Sequence, residues 1–192
     1  MRRLGWRLEA FGFDLAGALL RLLPLDTASD LGASIFAGLG PLTPSHKIAE
    51  RNIRLAFPHL SAVEHRALLD AQWRSLGRGF FEFELMERLA AEPDRIEVEN
   101  GERLTEIARA GRPVVIVSGH FSNWEAMGVA IVRSGLNCRF TYRATNNPYV
   151  DARIRKVRGR YGIKLFAPKG SDGAREALAG LERGESIVLM ND

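Results

Sequence analysis

The chain has little cysteine, few long apolar runs without charge, and no familiar nucleophile or nucleotide motif. Each lack narrows what it can do. A single cysteine, Cys138, in 192 residues excludes an internal disulfide, and the chain has no Cys/His cluster with zinc spacing, so no structural metal is expected. No charge-free stretch reaches the ~18 well-apolar residues of a spanning helix. The longest, Leu31 to His46, is broken by Gly32, Gly38, Gly40, Pro41 and Pro44. There is no internal repeat and no low-complexity segment. A Gly-x-Ser-x-Gly nucleophile turn is absent. Gly111-Arg112-Pro113 and Lys169-Gly170-Ser171-Asp172-Gly173 fit neither a P-loop nor a dinucleotide fingerprint. These absences leave a general base acting on a substrate hydroxyl as the favoured chemistry, with no covalent enzyme intermediate and no resident cofactor.

What is present is ordinary in bulk and uneven in distribution. Hydrophobic residues make up 46% and charged residues 26%, which suits one globular domain with a sizeable core. The net charge is +4, yet the stretch from Arg133 to Lys169 carries ten Lys/Arg against one acid, Asp151. Such a block attracts phosphates, an anionic membrane or an acidic protein; a solvated helix face is the plain alternative. Nucleic acid is not an expected partner, because the arginines lack aromatic interleaving beyond Tyr149 and Tyr161 and no standard recognition motif is present.

The amino terminus admits several readings. Met1-Arg2-Arg3 and Arg7 precede an apolar stretch from Leu15 to Leu25, but Glu9 and Asp14 interrupt the pattern of a cleaved signal. Trp6, Phe11, Phe13, Leu15, Leu19, Leu22 and Leu23 with flanking arginines fit an amphipathic helix lying at a membrane interface, or a helix packed on the domain. Residues 1–45 are therefore expected to form a helical, membrane-associating segment, and residues 46–192 an α/β domain.

Farther along, Ser61-Ala62-Val63-Glu64 has the form of a capping box opening a helix toward Leu89, with Gly77 and Gly79 marking a bend or a close helix contact. Ile96-Glu97-Val98-Glu99 alternates like a short strand, and Glu102 to Ala110 reads as a helix stopped by Gly111. The rhythm then becomes regular. Strands at Val114–Ser118, Arg139–Tyr142, Ile163–Phe166 and Ser186–Met190 alternate with helices at Ser122–Arg133, Pro148–Tyr161 and Asp172–Arg183. That alternation predicts an α/β fold with a mostly parallel sheet and flanking helices, and ligands bind beyond the carboxyl ends of such strands. His120, Arg143 and Asp192 each follow a strand end.

Ser118-Gly119-His120-Phe121-Ser122-Asn123-Trp124-Glu125 follows the buried-strand pattern Val114-Val115-Ile116-Val117. A histidine titrating near neutrality can take a proton from a hydroxyl and return it. Glu125 could orient its ring through the second nitrogen. Equally, Ser122-Asn123-Trp124-Glu125 is a capping-box pattern, in which Glu125 bonds only the Ser122 backbone.

His120-Phe121-Ser122-Asn123-Trp124-Glu125 resembles the His-x4-Asp/Glu signature of glycerolipid-type acyltransferases. Three further elements are similar to those of one branch, the lipid A biosynthesis (late) acyltransferases: Arg51-Asn52-Ile53-Arg54-Leu55-Ala56-Phe57-Pro58, Tyr142-Arg143-Ala144-Thr145-Asn146-Asn147-Pro148, and Ile187-Val188-Leu189-Met190-Asn191-Asp192. The resemblance implies an enzyme at the cytoplasmic face of the inner membrane. It would move a lauroyl- or myristoyl-type chain from acyl carrier protein, the co-substrate, to a hydroxyl of a lipid A precursor. His120 would be the base and Glu125 its partner, with Arg143, Asn147 and Asp192 on the substrates. Other glycolipid or lysophospholipid acceptors, such as a phosphatidylinositol mannoside, stay open, as does a basic membrane-binding fragment without catalysis. Family members continue past residue 192, so the resemblance also implies a C-terminally incomplete domain whose sheet ends on an uncovered edge.

Overall fold

The computed structural model describes residues 2–163, 166–168 and 171–191. The chain forms two compact units, Met1–Leu19 with Met86–Asp192, and Leu20–Leu85. In chain order the helices and strands are α1 (Arg2–Leu20), α2 (Leu25–Leu39), α3 (Pro44–Ala56), α4 (Ala62–Glu82), α5 (Met86–Ala91), α6 (Glu102–Ala110), β1 (Val115–Ser118), α7 (Glu125–Arg133), β2 (Cys138–Tyr142), α8 (Pro148–Arg160), β3 (Phe166–Pro168), α9 (Ser171–Glu182) and β4 (Ser186–Met190). The boundary expected at residue 45 falls inside α3.

In the Leu20–Leu85 unit the capping box forms as anticipated. Glu64 N donates to Ser61 Oγ at 3.3 Å, and Ser61 N donates to the Glu64 carboxylate at 2.7 Å. The helix does not run unbroken to Leu89; a 3-10 turn at Phe83–Leu85 intervenes before α5. Gly77 is a close helix contact, because a Cβ there would run into the Gly32 backbone of α2. Polar anchors reinforce the packing: Ser29 Oγ donates to Glu82 at 2.5 Å, and Arg21 pairs with the buried Glu84 at 2.6 Å.

The other unit is built on a four-stranded sheet in the order β1-β4-β2-β3, parallel throughout. The parallel α/β reading therefore holds. β4 lies between β1 and β2, so it is an interior strand and β1 and β3 are the outer ones. On β1, an outer strand, Val115 and Val117 are exposed. Ile187 and Val188 of β4 are almost wholly buried, on opposite faces. Val188 packs with Ile131 of α7 and Leu136, flanked by Ile107 of α6 and Ile116; Ile187 faces α9 across Gly180. Ser186, buried and polar, accepts from Val114 N at 3.1 Å, which satisfies its hydroxyl.

Three local expectations are corrected. Ile96–Glu99 is not a strand: it follows a 3-10 turn at Pro93–Arg95 and has no ladder partner among the described residues. β3 begins at Phe166 rather than Ile163, because Gly162 turns at φ 95° and sends Ile163 into the interior against Gly128. α7 begins at Glu125 rather than Ser122, which sits at φ 44° in the left-handed region. Gly111, at φ 64°, closes α6 as expected.

Candidate active site

Parallel strands bring their carboxyl ends to one edge, and the candidate groups gather there. Asn191 N donates to Ser118 O at 2.8 Å and extends the β1–β4 ladder one step beyond the strands. His120 lies two residues past β1, exposed, with its ring edge-on to Trp124 at 5.1 Å between centroids. Arg143 directly follows β2 and is also exposed. Both line a cavity of about 260 Å³ whose deeper wall is apolar: Met127, Gly128, Phe140, Ile163 and Val188. Gly128 keeps that wall open to close packing, since a Cβ there would lie 2.6 Å from Ile163 Cδ1. At about 260 Å³ the cavity is smaller than the pocket of a drug-sized ligand, which needs ~300 Å³ or more.

Glu125 is the first residue of α7, so it stands at the wrong helical position for the capping box drawn from the sequence. It is 6% exposed, and its carboxylate is held by α8 and the residue after it. Arg158 Nε donates to both oxygens at 3.1 and 3.2 Å, Nη2 donates to Oε1 at 2.5 Å, and the Tyr161 hydroxyl donates to Oε2. A bidentate guanidinium and a hydroxyl satisfy a buried carboxylate that would otherwise be costly. Burial, then the neighbouring Glu125 charge, pushes the Tyr161 hydroxyl well above its ordinary range, so it stays a donor.

The network continues to the Arg143 side. The Arg158 guanidinium lies over the Tyr142 ring at 5.0 Å, and Arg155 lies over the same ring at 5.1 Å. Tyr142 OH donates to Asp151 at 2.8 Å, and Thr145 N donates to the same oxygen at 3.0 Å. Burial, assisted by Asp151, pushes the Tyr142 hydroxyl up to about 12. These bonds tie down the loop that carries Arg143.

Asn147, expected on the substrate, is buried at 4% exposure. Its Oδ1 accepts from Tyr149 N and Val150 N at the start of α8, and Nδ2 donates to Trp6 O and Glu9 of α1, both at 2.9 Å. Asp14 pairs with Arg153 at 2.6 and 2.7 Å along the same seam, so α1 is strapped to α8. The expected position of Asp192 lies outside the described residues.

Five arginines of the basic block are engaged. Arg139 pairs with Glu176 and Glu185, Arg153 with Asp14, Arg155 with Asp151, and Arg158 with Glu125, while Arg133 donates to Ala90 O. Sequence reasoning missed Arg158 and Tyr161 as partners of Glu125. Nothing local in α8 names an acid 33 residues upstream of Arg158.

The profile of the bacterial lipid A biosynthesis acyltransferases matches residues 11–192. Two similar proteins are a lipid A biosynthesis palmitoleoyltransferase of Escherichia coli (strain K12) and a lipid A biosynthesis acyltransferase of Shigella flexneri. Each is 27% identical over 173 residues, covering 88% of this chain and 55% of the relative. The chain thus spans about half the length of the curated relatives it matches.

Proposed function

The chain belongs to the bacterial lipid A biosynthesis acyltransferase family, and on that footing we propose that it carries the catalytic turn of an enzyme that acylates a lipid A precursor from acyl carrier protein. The observation that carries this reading is His120 and Arg143 lining one cavity at the carboxyl ends of the parallel strands. His120 takes the proton of an acceptor hydroxyl as its oxygen attacks the thioester carbonyl. The tetrahedral oxyanion forms beside the Arg143 guanidinium, and its collapse expels the carrier thiolate, which takes the proton back from the imidazolium. No group on the enzyme is acylated. Burial pushes the Cys138 thiol up to about 11, which keeps it protonated and a poor nucleophile.

The amino-terminal helix supports a lipid surface as the working environment, the cytoplasmic face of the inner membrane. Among the described residues no helix is long and apolar enough to cross a membrane. On α1, Leu4, Leu8, Phe11, Leu15 and Leu19 are each 49–65% exposed, at the spacing of one helical stripe. Arg2, Arg3 and Arg7 lie at its start. An apolar stripe with arginines beside it suits a helix lying in an anionic interface.

The test is transfer of a labelled acyl chain from acyl carrier protein to a panel of acceptors, resolved by thin-layer chromatography, with the full-length protein. Label on the lipid A precursor is the expected result. Label only on a lysophospholipid or another glycolipid would move the acceptor assignment, and no transfer to any acceptor would favour a non-catalytic membrane module.

A further inference from the structure

Glu125 and Arg143 approach the cavity from different elements, one at the head of α7 and the other at the end of β2. One side chain touches both supports. Arg158 grips the Glu125 carboxylate with its fork and lays the same guanidinium on the Tyr142 ring, the residue before Arg143. We propose that Arg158, with Tyr161 holding the second Glu125 oxygen, is the positioning residue that ties the His120 turn to the Arg143 strand end, so that base and cation keep one spacing across the cavity.

Residues 119–124 connect β1 to α7, with Ser122 in the left-handed region, a strained conformation for a non-glycine residue that persists only when the surroundings hold it. At the near end the hold is the Asn191 N to Ser118 O bond; at the far end it is Glu125, clamped by Arg158 and Tyr161. A turn pinned at both ends has little freedom, and His120 rides between the pins. The Arg158 side chain is 17% exposed, so its ion pair is sheltered from water and its fork geometry is not averaged away. On the other side Tyr142 is fixed by Asp151, itself bonded to Arg155 and Thr145 N. Arg158 is thus shared by two anchored substructures. In this arrangement Glu125 is a fixed carboxylate that sets geometry.

This inference rests on reading His120 as the base, and its test separates the two. Arg158→Lys keeps the charge but loses the fork, Arg158→Met removes both, and Tyr161→Phe removes one donor. In the acyl-transfer assay with the full-length protein, both Arg158 variants lose about 10–100-fold in kcat with KM changed less than about threefold, the loss expected when reacting groups are displaced by about an ångström. In a His120→Ala background the Arg158→Met change costs nothing further, because Arg158 acts through the base. A multiplicative loss in the double variant, a raised KM with kcat intact, or full activity in Arg158→Lys would overturn the proposal. An activity-independent measurement stands beside these: the His120 ring resonance, assigned by its disappearance in His120→Ala, shifts in Arg158→Lys and in Tyr161→Phe. A resonance that stays in place in both refutes the clamp. Unchanged kinetics in His120→Ala alone refutes the base reading while the resonance still tests the clamp. If Arg158→Met fails to fold, the Lys and Phe variants carry both readouts.

Discussion

Replacing Asn147 by alanine removes four hydrogen bonds at once. Two are the cap of α8, accepted from Tyr149 N and Val150 N. Losing a good cap costs about 1 kcal/mol, within ~0.5–2. The other two are donated to α1: a neutral bond to Trp6 O costs about 1 kcal/mol, and a charge-assisted one to Glu9, exposed and therefore screened, costs about as much again. The sum is about 3 kcal/mol, and at about 2–4 °C per kcal/mol for a chain of this size the melting temperature drops by about 6–12 °C. Hydrogen exchange locates the loss. In Asn147→Ala, protection falls both in the first turn of α8 and along α1. Asn147→Asp keeps an acceptor for α8 but sets a second carboxylate against Glu9, so protection falls in α1 alone. A melting temperature within about 1 °C of wild type, or α1 amides protected as before in both variants, would refute the strap. The substrate-binding role implied by the family resemblance predicts a different result: a raised KM with unchanged melting.

Other outcomes follow from the same structure. Burial pushes the Asp151 carboxyl up, but hydrogen bonds from Arg155, Tyr142 and Thr145 N outweigh it and hold the group below the ordinary carboxylate range. Its contribution to stability is present above the unfolded value of about 3.9 and is lost as pH falls below that toward the folded one. Thermal melts between pH 5 and pH 3 should therefore fall more steeply for wild type than for Asp151→Asn; equal slopes would contradict the bonding. The Cys138 thiol, raised by burial to about 11, should react with iodoacetamide at pH 8 at least about tenfold more slowly in the folded protein than in denaturant; rapid labelling of the folded protein would contradict it. Leu8→Glu with Phe11→Glu should weaken sedimentation with anionic liposomes by about tenfold or more while leaving melting near wild type, because both side chains are exposed; unchanged co-sedimentation would remove α1 as the membrane contact.

Much of the fold was legible where the determinant is local. The Ser61 capping box, the Gly111 stop and the Asn147-Pro148 start of α8 are written in neighbouring residues, and the helix–strand alternation implied parallel strands. Strand order is not local, and nothing in Ser186–Met190 announces that β4 inserts between β1 and β2. Ile96 and Val98 alternate correctly, but a strand needs a partner and none pairs with them. The site followed the same division. His120 and Arg143 could be placed at strand ends from the pattern alone, whereas the surroundings of Glu125 could not. Its local sequence offered a cap, and a long-range ion pair with a hydroxyl bond shifted the helix start by three residues instead. Likewise the composition of the positive block does not tell which of its arginines pair with acids on α1, α7 and α9, since those acids are distant in sequence.

The central claim is that His120 is the base. Its most direct test is the single-turnover rate of acyl transfer from acyl carrier protein to a lipid A precursor, measured for the full-length protein and its His120→Ala variant at saturating substrates. The account predicts a loss of about 10²–10⁴-fold, the contribution of a positioned general base, with melting temperature unchanged because the ring is exposed. A His120→Ala rate within a factor of two of wild type would contradict it.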